Sequence, residues 1–169
     1  MSDEDDIDWT DRILAFLQSI GLTVRERPLT DETFLPGLAV AEGGIDVDRG
    51  RLRWPGDLLH EAGHLAVMPA ALRAGLNGDL HDSHEVAHAG EIEAMAWAYA
   101  ACVAIEMPPP LLFHAGGYRG AGEPLQLTYS MGVYPGLQGL SACGMALTRA
   151  QADARGEPAY PRMQRWLRD

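Results

Sequence analysis

The spacing of apolar residues divides the first third of the chain into one helix and a set of short strands. Apolar side chains at helical intervals predict a helix over residues 8–20, and Gly21 is suited to end it. Short apolar runs separated by turns that contain Gly or Asp predict strands at residues 22–27, 37–41, 45–47 and 52–54. This part of the chain is therefore expected to form a small twisted β-sheet.

From residue 57 onward the pattern is mainly helical. Asp57 is a suitable N-cap for a largely apolar helix that Pro69 ends, and a second apolar helix over residues 89–106 stops at Pro108. A Gly-rich stretch reaches about Pro135, and helices are predicted at residues 137–154 and 161–167. The 169 residues are expected to form one α+β domain. Its parts are an N-terminal helix and sheet (1–57), two helices (58–108), and a Gly-rich segment with C-terminal helices (109–169).

The first of these two helices carries the sequence His60-Glu61-Ala62-Gly63-His64, which matches the pattern H-E-x-x-H. Because a helical turn takes about 3.6 residues, His60 and His64 project from the same face and can bind one Zn²⁺. Glu61 lies beside them, where it can act as a general base toward a water molecule. A buried helix could also hold both histidines in hydrogen bonds without a metal, so the motif leaves two interpretations open.

Two histidines do not complete a catalytic zinc site, which usually has three protein ligands and one open position. The extended pattern H-E-x-x-H-x-x-G-x-x-H would need Gly and His where this chain has Val67 and Ala70. The remaining route is a carboxylate from the second helix, which carries Glu91 and Glu93 near its start. These two residues are about 200° apart around a helix, so both cannot face one metal ion.

Residues 91–94 (E-x-x-A) resemble the third-ligand motif E-x-x-A-[DN] of gluzincin metallopeptidases. With H-E-x-x-H before them and a Met-Pro pair just beyond the helix, residues 58–108 resemble the ImmA/IrrE-type branch of these enzymes. The resemblance implies a zincin-like fold in which the sheet packs on the active-site helix, peptide-bond hydrolysis, and Zn²⁺ as cofactor. It also implies Glu91 as the third ligand, with Glu93 as the alternative. Met95 departs from the pattern, because the family has Asn or Asp there to support a ligand.

Further polar residues could complete such a site. The connection between the two helices carries three histidines, His81, His84 and His88. His88 is nearest to the second helix and could supply an additional ligand or an acid, whereas a solvated polar loop is the simpler interpretation. Zincins commonly place an electrophile on the carbonyl oxygen of the substrate, and the downstream candidates are His114, Tyr118, Arg119 and Tyr129. They also commonly pair an extended substrate with an edge strand, for which residues 45–47 and 52–54 are candidates.

The charge balance narrows the range of partners. With 24 acidic and 13 basic residues the chain has a net charge of −11, which disfavours binding to nucleic acid and to anionic membrane surfaces. The acidic N-terminus is unlike a secretory signal, and the longest strongly apolar run, residues 94–105, is too short to span a bilayer. Two cysteines do not indicate an oxidising compartment, so a cytoplasmic location is expected.

The sequence therefore predicts a zinc metallopeptidase that acts on a peptide or protein substrate. In the family that it resembles, such substrates include regulatory proteins. Glu61 would take a proton from water as the water attacks the peptide carbonyl, and would pass that proton to the leaving amine. The second hypothesis is a catalytically silent zincin-fold regulatory or binding module that still binds metal, and Met95 fits it. A metal-storage protein is less consistent with the pattern, because such proteins cluster their histidines in tracts.

Overall fold

A computed structural model describes residues 8–30, 32–77 and 90–169 of the chain. Its helices and strands, in chain order, are α1 (Trp9–Ser19), β1 (Val24–Glu26), β2 (Leu38–Ala41), β3 (Gly44–Val47), α2 (Pro55–Val67), α3 (Ala70–Arg73), α4 (Glu91–Ala104), α5 (Pro109–Leu112), α6 (Gly122–Ser130), α7 (Leu137–Ala142) and α8 (Arg149–Arg155). A short 3-10 turn, Tyr118–Gly120, lies between α5 and α6. The predicted α+β class and the mainly helical second half are confirmed.

The three strands form a mixed sheet in the order β1-β3-β2. β1 runs parallel to β3, and β2 runs antiparallel to it. The hairpin between β2 and β3 turns through Glu42 and Gly43, whose φ angles of 50° and 69° are both positive. Two positive φ angles in a two-residue loop are typical of the type I′ turn, which matches the twist of paired strands. The strands predicted near residues 22–27, 37–41 and 45–47 are confirmed.

One strand prediction is wrong, and neither candidate for the substrate edge strand has a free edge. The carbonyl of Asp48 accepts hydrogen bonds from the amides of Arg51 and Leu52 at 3.0 and 2.9 Å, which curls the chain into a turn instead of a strand at residues 52–54. β3 is the central strand, so residues 45–47 pair with a neighbour on both sides. Among the described strands, only β1 and β2 have an edge to offer an extended peptide.

Helix α2 starts two residues earlier than the predicted N-cap. Trp54 is the N-cap in an extended conformation, and Pro55 follows at the first helical position, where its fixed φ suits a helix start. Asp57 therefore lies in the first turn of α2, and its predicted role as N-cap is wrong. From Leu58 to Val67 every residue of α2 is buried, because the sheet and α1 pack on it from one side and α4 from another.

Helices α2 and α4 approach each other closely at one glycine. A Cβ atom added to Gly63 would lie 2.5 Å from the carbonyl oxygen of Ala94, well inside van der Waals contact. Further along α4, the fully buried Trp97 donates its indole N–H to the carbonyl of Trp166 at 2.8 Å. The C-terminal segment therefore covers α4, while Gly63 brings the start of α4 against the middle of α2.

The C-terminal half differs from the predicted pattern in its details. Residues 137–154 form two helices, because Gly144 leaves the helical region with a φ of 69° and Thr148 starts α8 through a capping box with Gln151. The helix predicted at residues 161–167 is wrong, and α6 lies in the Gly-rich stretch, for which no helix was predicted. Within the described ranges, no helix is both long and apolar enough to cross a membrane.

Candidate metal centre

The side chains of His60, His64 and Glu91 converge where the middle of α2 meets the first residue of α4. The Nε2 atoms of the two histidines are 3.1 Å apart. One carboxylate oxygen of Glu91 lies 3.2 Å from Nε2 of His60, and the other lies 3.1 Å from Nε2 of His64. These three residues form a group that could hold a metal ion.

The spacing within the group leaves room for a metal ion. Neighbouring ligand atoms around tetrahedral zinc are about 3.3 Å apart, and each imidazole nitrogen lies 3.1–3.2 Å from the other nitrogen and from a different oxygen of Glu91. Two imidazole nitrogens and one carboxylate are also a common donor set of catalytic zinc. The side chain of Glu91 is 36% exposed, whereas those of His60 and His64 are 9% and 7% exposed. The group is thus open to solvent on the side of Glu91.

The two imidazoles control the ionisation of Glu91. Burial on its own would raise the pKa of this carboxyl group, but hydrogen bonds from His60 and His64 and their charges hold the pKa well below its usual range. Glu91 is therefore a carboxylate over the ordinary pH range, which is the form that can bind a metal ion.

The other two acidic candidates lie in different surroundings. Glu61 is 6% exposed on the same stretch of α2 as the two histidines. Its charge contributes to the raised pKa of Asp57, one turn earlier, although burial is the main cause of that shift. Glu93 is not part of the three-residue group, and its carboxylate packs instead against Gly139 of α7. His88, like His81 and His84, falls outside the described residues.

A side-chain hydrogen bond that the sequence did not predict links α2 to the segment after α5. Nε2 of His114 is 2.8 Å from Oδ1 of Asp57, and its ring stacks on Trp54 with a centroid separation of 4.6 Å. Burial raises the pKa of Asp57, and the hydrogen bond with His114 opposes that shift. The two partners are 57 positions apart in the chain, so no local pattern could have paired them. The local pattern around Asp57 indicates only a helix cap.

Of the four downstream candidates, Tyr118 is the one that contacts the metal group. Its ring meets the ring of His60 edge-on, with centroids 5.3 Å apart. The Tyr118 hydroxyl is buried, its pKa is raised by that burial, and it has no hydrogen-bond partner among the described residues. Tyr129 instead donates its hydroxyl to the carbonyl of Pro135 at 2.8 Å, and Arg119 is exposed.

Met95, which stands where the resembled family has Asn or Asp, lies in an apolar environment. Met95 is 8% exposed and belongs to the hydrophobic core. Its thioether is at best a weak acceptor and cannot replace the amide or carboxylate that the family has at this position. Any support for His60 and His64 must therefore come from other groups.

Comparison with known proteins does not assign the chain to a family. No protein-family model, curated protein or solved structure matches it. The functional interpretation consequently depends on the H-E-x-x-H motif and on the three converging side chains.

Proposed function

We propose that this protein is a zinc-dependent metallopeptidase with a zincin-like fold, similar to the ImmA/IrrE type. The observation that carries the proposal is the convergence of His60, His64 and Glu91, which come from two helices and form a donor set common at catalytic zinc. Glu91 is also the residue that the family resemblance implies as the third ligand. A chance cluster would not be expected to agree with both the motif and the geometry.

The proposed reaction assigns proton transfer to Glu61. Zinc held by this group would lower the pKa of a water molecule toward neutrality and polarise a substrate carbonyl. Glu61 takes a proton from the water as it attacks the carbonyl carbon, and then delivers the proton to the departing amine. The bond that breaks is the peptide C–N bond, and the products are a carboxylic acid and an amine.

Tyr118 is the best-placed candidate to donate a hydrogen bond to the carbonyl oxygen as negative charge develops there. Its hydroxyl has no partner among the described residues, and its ring rests on His60. Asp57 supports this placement by holding His114, against which Gly117, the neighbour of Tyr118, packs. Asp57 and His114 are therefore positioning residues in this proposal.

The substrate is proposed to be a peptide or protein, and by analogy with the family a regulatory protein is a reasonable candidate. The net charge of −11 favours neutral or basic partners over nucleic acid. Cytoplasmic action is consistent with this proposal.

The first test combines metal analysis with hydrolysis of a mixed peptide library. Protein purified without chelators or a His-tag should contain about one zinc ion per chain, which His64→Ala should lose. Glu61→Gln should retain the zinc and lose hydrolysis, because the amide cannot accept the proton. Hydrolysis at the wild-type rate by Glu61→Gln would refute its role as the base.

The third ligand is tested by a matched pair of variants. Glu91→Ala should weaken zinc binding strongly, whereas Glu93→Ala should not, since Glu91 and not Glu93 belongs to the group that could hold a metal ion among the described residues. Competition with a chromophoric chelator measures both affinities. If Glu93→Ala alone weakened binding, the third ligand would have to be reassigned.

The alternative function is a catalytically silent module that binds metal and recognises a partner. The buried, apolar Met95 favours it, because this residue removes a group that commonly orients a ligand. Zinc-loaded wild-type protein that binds peptides but hydrolyses none of them would support this alternative.

A further inference from the structure

A cavity of about 350 Å³ lies beside the candidate metal centre, between the C-terminal part of α2, the start of α4, and α7. His64 and Glu93 both line it, so it is continuous with one of the proposed zinc ligands. Most of the remaining wall is apolar and includes Val67, Met68, Leu140 and Met145. Ligand pockets commonly enclose about 300–1,000 Å³. This cavity is at the small end of that range, which suits a single side chain better than a large cofactor.

Glu93 places a carboxylate in the wall of the cavity. A Cβ atom at Gly139 would overlap the Glu93 side chain, so the absence of a side chain at this position of α7 makes the room that the carboxylate occupies. Oε2 of Glu93 is buried and has no hydrogen-bond partner among the described residues. A buried carboxylate oxygen without a donor is costly, and a cation held in the adjoining cavity would offset part of that cost through charge attraction.

Arg168 also lines the cavity, but its contacts lie along the end of α2. Its backbone N–H donates to the carbonyl of Ala66 at 2.9 Å, and Nη1 of its guanidinium lies 3.4 Å from the carbonyl of Val67. The guanidinium of Arg168 is therefore directed toward one backbone carbonyl, that of Val67. Among the described residues that line the cavity, Glu93 is the acidic one, and it packs against Gly139 of α7.

We propose that this cavity binds the side chain of a lysine or arginine residue of the substrate, with Glu93 selecting for the positive charge. Lysine and arginine combine a long apolar stem with a cationic end, which matches a largely apolar wall that also contains a carboxylate. Because His64 forms part of the wall, a residue bound here would lie next to the peptide bond at the metal. This inference rests on the proposed function in that a peptide must bind at the metal group, but it does not require that the peptide be hydrolysed.

A binding experiment that needs no hydrolysis tests this inference. A randomised peptide library is passed over immobilised, zinc-loaded Glu61→Gln protein, and the retained peptides are sequenced. Lysine and arginine should be enriched, and the enrichment should fall by about tenfold when Glu93→Gln is added, because the neutral amide loses the charge attraction. Glu93→Asp should preserve the preference, and the zinc content of all variants should be the same.

Three outcomes would overturn the inference. In the first, basic residues are enriched equally by Glu61→Gln protein with and without Glu93→Gln. In the second, both proteins enrich apolar residues instead. In the third, zinc-loaded Glu61→Gln protein retains no peptide. If Glu93→Gln failed to fold, the Glu93→Asp comparison and a lysine-to-norleucine exchange in a retained peptide would still test the charge. Basic peptides that are retained by Glu61→Gln but not hydrolysed by the wild type would leave this inference intact and refute the peptidase.

Discussion

Replacing Gly63 by alanine tests whether the close approach of α2 and α4 assembles the metal-binding group. The new Cβ would lie 2.5 Å from the carbonyl oxygen of Ala94, and 3.1 and 3.2 Å from its carbonyl carbon and Cα. All three atoms belong to the backbone, so no side-chain rotation can relieve the overlap. The start of α4 must move away from α2.

The required movement is large compared with the tolerance of a metal site. Ordinary van der Waals contact begins near 3.4 Å, so the Ala94 oxygen must withdraw by about 0.9 Å from its 2.5 Å position. Glu91 lies one turn earlier on the same helix and would move with it, whereas metal–ligand distances tolerate only about ±0.2 Å. We expect zinc affinity to fall by about 10–100-fold, as it does when support for a ligand is lost. Overpacking should cost about 1–3 kcal/mol of unfolding free energy, offset by up to about 1 kcal/mol from the better helix propensity of alanine.

Chelator competition and urea unfolding of the metal-free protein measure the two effects separately. Gly75→Ala is the matched control, because its nearest atom, the carbonyl oxygen of Leu72, would be 3.9 Å from the new Cβ. This control should bind zinc like the wild type and should not be destabilised. Wild-type zinc affinity in Gly63→Ala would refute the reasoning, because it would mean that the group does not depend on the spacing of the two helices.

Two further predictions concern the ends of α2 and α4. Arg73 donates to the carbonyls of Leu65 and Met68 at 2.8 and 2.9 Å, so Arg73→Gln should lower the unfolding free energy by about 1–2 kcal/mol. An unchanged urea midpoint would mean that water replaces these bonds without cost. Burial raises the pKa of Cys102 to about 12, whereas Cys143 is half-buried, so iodoacetamide at mildly alkaline pH should modify only Cys143 in the native protein. Mass spectrometry would contradict this if both thiols reacted at similar rates before unfolding.

The elements that could be predicted from the sequence are those specified by local patterns. α1, α2 and α4 each have a continuous apolar face or run, and the β2–β3 hairpin has a glycine where a positive φ is required. His60 and His64 could be assigned to one face because their spacing alone determines it. The spacing of residues in the second helix left both Glu91 and Glu93 as candidates for the third ligand. Glu91 was favoured only by the resemblance to the gluzincin motif.

What the sequence could not predict depends on distant contacts. The parallel pairing of β1 with β3 places Asp46 between Arg25 and Arg27, and neither strand indicates that partner by itself. The pairing of Asp57 with His114 likewise depends on how the segment after α5 returns to α2. The average helix propensity of residues 137–154 is favourable, so the sequence pattern did not indicate a break. One residue with a positive φ, Gly144, is nevertheless enough to end a helix.

The three candidate ligands come from two helices, and this division has a consequence for the amount of folded protein in a cell. An ion held by His60, His64 and Glu91 would cross-link α2 to α4, and the unfolded chain could not offer the same site. At a free concentration a thousandfold above its Kd, such an ion adds about 4 kcal/mol to stability, a large share of the roughly 5–15 kcal/mol typical of a domain. Depletion of zinc would then expose the chain to proteolysis, so that zinc supply would regulate abundance as well as activity.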